Sequence, residues 1–326
     1  MSKPAPPPSG VYVPAVVFLD ENEELDAAGI RAHVLRLAQG GVRGILVQGS
    51  NGEAQLLSHE ERAAAIRLTR ETLDSHGFKD TLIIAGTGAP STKETIKLCK
   101  DAAAAGAAYA LVLTPSTWPK MMTQANIVRF FHRVRTVKVT LPSLAERCLQ
   151  VADESPIPVM IYNFPTVTAG IDLDSDTIIA IAQHPRVVGT KLSCGNVGKL
   201  HRVISALPAT EFAAFPGKSD VFLQGLVSGS AGVIGALPNV APKAHARLLQ
   251  LYNAGNLAEA TKLQALLGQA DWELGKLGSI GGIKAIVSRH FGYGAPHVKG
   301  PLAPLLDEAK IANAKLEELV ALEKSL

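Results

Sequence analysis

Eight times between residues 11 and 253, a short run rich in Val, Ile, Leu and Ala gives way to a longer stretch with helical spacing. The short runs lie at 11–18, 44–48, 81–85, 109–113, 158–162, 187–192, 211–215 and 232–236. The helical stretches lie at about 26–39, from Ser58, from Ser91, and at about 124–135, 174–184, up to 207, 219–228 and 242–253. Two of these open on capping boxes, Ser58 with Glu61 and Ser91 with Glu94, where a hydroxyl and a carboxylate satisfy each other's first-turn N–H groups. Strict strand–helix alternation predicts a parallel sheet, because each strand must return through a crossover helix. Eight units are what a closed barrel requires. An open, doubly wound sheet would want a GxGxxG turn after its first strand, and none is there. The fold class predicted is therefore α/β, a (β/α)8 TIM barrel with appended C-terminal helices.

A barrel needs a large core, and hydrophobic residues make up 47% of the 326, with 19% charged, which excludes a disordered chain. The net charge of +3 is scattered along the chain and argues against a nucleic-acid partner. No apolar stretch reaches the roughly 18 residues that span a bilayer, so no membrane partner is expected. Residues 1–10, MSKPAPPPSG, read as a Pro-rich disordered tail without a targeting pattern. With three widely spaced cysteines, Cys99, Cys148 and Cys194, this places the protein in the reducing cytoplasm. No HxH or HExxH pattern offers metal ligands, and His33, His132, His201 and His245 on helical stretches are expected to be solvated or capping. The barrel is expected over 11–255 and a helical layer over 256–326. Gly275, Gly278, Gly281 and Gly282 are expected to break that layer, which closes on an amphipathic helix at 307–325. Residues 136–150 are longer than such a connection needs and read as an insertion, a tolerated excursion or an unspliced stretch of the gene.

In a barrel, reacting groups sit at the carboxyl ends of strands. Alternation predicts that Val187, Gly189 and Lys191 share one face. If that face is the lumen, Lys191 is an ammonium in a packed interior, where desolvation favours the neutral amine that a Schiff-base nucleophile must be. Tyr162 ends the preceding strand on the face of Pro158 and Met160, and can present a phenol to shuttle protons. The second strand ends in Gly49-Ser50-Asn51-Gly52, whose glycines allow close approach and whose N–H groups and Ser50 hydroxyl can hold a carboxylate. Glu53 is read as a cap of that turn. Ile234, at the end of the eighth strand, is a wall of the same site, and Thr87 a further polar wall.

GSNGE at 49–53, YNFP at 162–165 with Gly170, and VVGTKLS at 187–193 together resemble the dihydrodipicolinate synthase and N-acetylneuraminate lyase family of class I aldolases. The likeness runs from about residue 10 to 305, except for 136–150. SPIPVMIYNFP, QHPRVVGTKLSCGN and FGYG at 291–294 are most similar to the 4-hydroxy-2-oxoglutarate aldolases and to fungal 2-keto-3-deoxy sugar acid (L-threo-3-deoxy-hexulosonate) aldolases. The resemblance implies a homotetramer built from dimers, no cofactor and no metal. It also implies a pyruvate Schiff base on Lys191, a catalytic Tyr162, and carboxylate binding by Ser50 and Asn51 with Gly52. The expected partner is a small 2-oxo acid, cleaved to pyruvate and an aldehyde. Synthases of the family carry an arginine where this chain has Val167, which leaves Val167 as an apolar contact and argues against condensation with aspartate semialdehyde. Where most members have a relay tyrosine, this chain reads Thr114-Pro-Ser-Thr-Trp118, so Thr117 or water stands in, or the relay is shorter. The alternatives are a dihydrodipicolinate synthase-type condensation, or a barrel that binds 2-oxo acids without turnover.

Overall fold

The computed structural model describes residues 3–131, 151–312 and 314–326. Eight strands form one parallel sheet in the order β7-β6-β5-β4-β3-β2-β1-β8. They are β1 Gly10–Pro14, β2 Gly44–Val47, β3 Leu82–Gly86, β4 Tyr109–Leu113, β5 Val159–Asn163, β6 Val187–Leu192, β7 Ala213–Pro216 and β8 Gly232–Ile234. At the β7/β8 seam the Ala231 N–H donates to Ala214 O at 3.0 Å, bringing the ends of the sheet together. The outer helices are α1 Ala27–Gln39, α2 His59–Ser75, α3 Thr92–Ala104, α4 Gln124–Phe131, α5 Val151–Glu154, α6 Ser175–Ala182, α7 Val197–Ala206, α8 Phe222–Val227 and α9 Pro242–Asn253. Beyond them lie α10 Leu257–Lys276, α11 Ile280–Phe291, α12 Glu308–Ile311 and α13 Ala314–Ser325. The expected (β/α)8 barrel with C-terminal helices is what the chain forms. The expected insertion at 136–150 lies outside the described residues, as do His132 and Cys148.

Period-2 alternation sorts the strands into a lumen and a helix-facing side. Tyr12, Leu46, Ile84, Leu111, Met160, Tyr162, Ala213, Phe215 and Ile234 form the lumen cluster. Val11, Val13, Ile45, Val47 and Ile83 face the helices. Val187 departs from expectation. The β5/β6 register shifts between Val159 and Met160, pairing Val159 with Val187 but Met160 with Gly189. The extra residue turns Val187 out to the cluster under the helices, while Gly189 and Lys191 keep their place.

The N-terminal segment also differs from expectation where it is described. Tyr12 and Tyr109 each bring a phenol to the amino end of the barrel, and these donate to Pro8 O (2.7 Å) and Ala5 O (3.2 Å). Pro7 is buried, and Lys3 pairs with Glu211. Ser58 and Glu61 form the expected capping box. At Ser91 only half of one exists, because the Glu94 carboxylate turns to His59. Gly281 and Gly282 lie inside α11 rather than breaking it, and the closing helix is divided into α12 and α13. The C-terminal layer joins the barrel's own core, Leu267 and Leu319 clustering with Val34, Leu37 and Leu248.

His33 and His245 are buried, not solvated. Asn239 Oδ1 accepts from Val16 N–H and the Tyr293 hydroxyl accepts from Arg36 Nε, so His33 is neutral, donating from Nε2 to Asn239 and accepting at Nδ1 from Tyr293. His245 donates from Nδ1 to Ala241 O and accepts at Nε2 from the Ser219 hydroxyl. Burial lowers the first to about 3, helped by the Arg36 charge, and the second to about 4. The unfolded chain therefore takes up two protons below pH 6.5 that the folded chain refuses, and stability is lost as pH falls. Asp271, raised to about 6 by burial and by Asp220, has the opposite sign and offsets about one of them. Between pH 6 and 5 the unfolding free energy should fall by about 1.4 kcal/mol per pH unit. Urea denaturation across that range checks this, and a flat profile contradicts the neutral assignment.

Candidate active site

β4 to β7 place Leu113, Tyr162, Lys191 and Phe215 side by side in register at the carboxyl end of the barrel. Lys191 is 3% exposed and Tyr162 4%. Lys191 Nζ donates to the Tyr162 hydroxyl at 3.2 Å and lies 4.4 Å from the centre of its ring. Three lysines are buried among the described residues: Lys191, Lys199 and Lys284. Lys199 pairs with Asp172 and Lys284 with Glu53. Lys191 has a phenol where the other two have a carboxylate. A carboxylate would keep the amine engaged in an ion pair, and among the described residues Lys191 has none.

Above this pair opens a cavity of about 450 Å³, lined by Asn51, Tyr162, Phe164, Thr166, Lys191 and Ser193 and, at its mouth, by Lys218, Asp220, Asp271, Trp272 and Lys276. After β2 the chain makes a 3-10 turn, Ser50–Gly52, closed by Gly52 N–H to Gly49 O and Glu53 N–H to Ser50 O. The Ser50 and Asn51 N–H groups start the turn and are not spent in it. Asn51 faces the large cavity. Ser50 lines a smaller cleft behind it, and Tyr162 borders both.

The other expected contacts fall elsewhere. Gly52 packs against β1, where a Cβ would meet Ala15 O at 3.1 Å, and does not line the cavity. Ile234 is in the lumen below, and the wall on that side is Ala236. Val167 is exposed, and its neighbour Thr166 lines the cavity instead, because the 3-10 turn Pro165–Val167 rotates Val167 outward. Thr117 is exposed and does not line the cavity. Thr87 faces α3 and accepts from Cys99 Sγ at 3.4 Å.

Sequence reasoning missed the mouth. Asp271, from α10, accepts from the N–H groups of Ser219 (3.0 Å) and Asp220 (3.2 Å) and so fixes the turn after β7. Asn163, after Tyr162, donates to Asp172 at 2.7 Å and accepts from Leu173 N–H, anchoring the loop that Lys199 also grips. Glu53 forms a buried ion pair with Lys284 rather than a simple cap.

A nearly closed (β/α)8 barrel with a buried lysine and a phenol bonded to each other at the carboxyl ends of adjacent strands is the site that the comparisons with known proteins must match. The chain matches the Dihydrodipicolinate synthetase family over residues 7–320, and it belongs to that family. A protein of Emericella nidulans named "Probable 4-hydroxy-2-oxoglutarate aldolase, mitochondrial" is 45% identical, covering 97% of this chain and 96% of its own. The L-threo-3-deoxy-hexylosonate aldolase of Hypocrea jecorina is 40% identical over 99% of this chain and 100% of its own. Among solved structures, YagE of E. coli K12, a member of the dihydrodipicolinic acid synthase family in complex with pyruvate, superimposes with a TM-score of 0.81. It is 28% identical, with 97% of this chain and 98% of that chain covered. Among the described residues no helix is long and apolar enough to cross a membrane.

Proposed function

We propose that this protein is a class I aldolase that cleaves a 4-hydroxy-2-oxo acid or a 2-keto-3-deoxy sugar acid to pyruvate and an aldehyde through an imine on Lys191. The observation that carries the reading is the buried amine of Lys191, bonded to the Tyr162 hydroxyl and, among the described residues, without a carboxylate partner. The relatives at 40–45% identity carry aldolase names of both substrate kinds.

The neutral amine attacks the C2 carbonyl, the Tyr162 phenol gives its proton to the departing hydroxyl, and water leaves, giving an iminium beside a Tyr162 phenolate. The C4 hydroxyl gives its proton towards Tyr162, the C3–C4 pair flows into the iminium as an enamine, and the aldehyde departs. The enamine is protonated at C3, and water hydrolyses the imine to pyruvate and free Lys191. The turn at Ser50 and Asn51 holds the carboxylate and so orients the scissile bond. At the mouth, Asp220 and Asp271 offer carboxylate oxygens to the hydroxyls of the aldehyde half. Among the described residues no arginine lines the cavity to fork onto a second carboxylate, the cations at its mouth being the point charges Lys218 and Lys276, which argues against the synthase reaction.

The same reading includes an assembly of four chains. The exposed Trp118 (66%) and Met121 (63%) after β4 are its suggested contact. We place the protein in the cytoplasm on the free thiols of Cys99 and Cys194.

The test is pyruvate with borohydride. Reduction should fix a pyruvate-derived mass on Lys191, found by peptide mass spectrometry, and a panel of 2-oxo-4-hydroxy acids should release pyruvate, sugar acids faster than diacids. Label on another lysine sinks the assignment. Binding that stabilises the protein with no aldehyde released from any acid makes it a binding barrel instead.

A further inference from the structure

The turn that faces the keto acid is bracketed by two residues in a backbone region that only glycine adopts freely. Gln48 has φ +52° and Glu53 φ +55°. Both are buried, and both bind a buried cation from another element. Gln48 exchanges two hydrogen bonds with Arg62 of α2, accepting from Nε at 3.1 Å and donating to Arg62 O at 2.9 Å. Glu53 reaches further. One carboxylate oxygen accepts from Lys284 Nζ of α11 at 2.5 Å, the other from Lys299 N–H at 2.6 Å, and Lys284 Nζ also donates to His297 O at 2.7 Å. Lys299 in turn pairs with Glu61 at the start of α2, at 2.8 Å. Neither Glu53 nor Lys284 lines the cavity.

A buried ion pair is a poor device for stability alone, because desolvation offsets most of the attraction and an apolar pair of similar shape serves as well. Held beside a functional turn in a strained backbone, it has a different use. We propose that Glu53 and Lys284 are positioning residues: their bond fastens the Ser50–Gly52 turn in its carboxylate-receiving shape, so that the C-terminal helical layer sets how tightly the site takes a keto acid. This rests on the aldolase reading above, in which that turn holds the substrate carboxylate.

The test uses pyruvate, which carries only the carboxylate and the reacting carbonyl, and reads the concentration that gives half-maximal borohydride labelling of Lys191. Glu53→Gln and Lys284→Met each strand a buried partner, and should lower the melting temperature and raise that concentration by about tenfold or more. The double variant Glu53→Gln/Lys284→Met removes both charges. It should recover melting temperature but not pyruvate affinity. A merely structural pair predicts that both recover together, and a folded double variant labelled at the wild-type concentration overturns the proposal. The double variant carries the measurement where a single one fails to fold. Wild-type protein that pyruvate and borohydride leave unmodified would overturn the imine reading first, and the positioning role with it.

Discussion

Lys191→Met should abolish pyruvate release and borohydride labelling together while leaving the barrel folded. The two side chains have similar length, and Met fills irregular apolar space well. Its surroundings are the ring of Tyr162 and the lumen layer with Leu113 and Phe215, and among the described residues no carboxylate is left stranded by the loss of the amine. Unfolding free energy should therefore stay within about 1 kcal/mol of wild type, or rise. Without the amine no iminium forms and the C3–C4 electron pair has nowhere to go. The loss of kcat should be at least about 10⁴-fold. Turnover within tenfold of wild type would place the nucleophile elsewhere. Lys284→Met, by contrast, strands Glu53 in the interior and should unfold at lower temperature. The two substitutions are chemically the same, and the partner of each lysine decides the outcome.

What could be read in advance follows the range of the interactions concerned. Strand ends are local: Tyr109–Leu113 and Val187–Leu192 fall at the expected residues because β-branched runs bounded by turn residues need no distant partner to be recognised. Lys191 and Tyr162 were legible for the same reason, since alternation and strand order place them side by side. Val187 was not, because a bulge depends on the neighbouring strand as well as its own. His33 and His245 sit on helices whose spacing says only that one face is apolar. Their burial depends on Asn239, Tyr293 and Ser219, the first two more than 200 positions from His33. The same holds for the mouth, where Asp271 arrives from the C-terminal layer to cap a turn that follows β7. Thr117 and Val167 illustrate the limit of a motif: it locates a position along the chain, whereas a local turn decides which way that position faces.

Tyr162→Phe should separate the two halves of the reaction. The ring packs within the lumen cluster and stacks on Phe164 with centroids 5.7 Å apart, and Phe keeps both contacts. Only the hydroxyl is lost, along with its 3.2 Å bond to Lys191. The amine remains buried and able to attack a carbonyl, so pyruvate and borohydride should still label Lys191. Bond cleavage needs the C4 hydroxyl proton to leave as the C3–C4 pair moves, and among the described residues no other phenol lines the cavity. Turnover should fall by about 10² to 10⁴-fold, with the loss in kcat and KM nearly unchanged, because a proton acceptor acts in the transition state more than in the bound ground state. A Phe variant that turns over at the wild-type rate would put water in the proton path. One that neither labels nor turns over would mean that the hydroxyl is needed to seat or orient the amine itself.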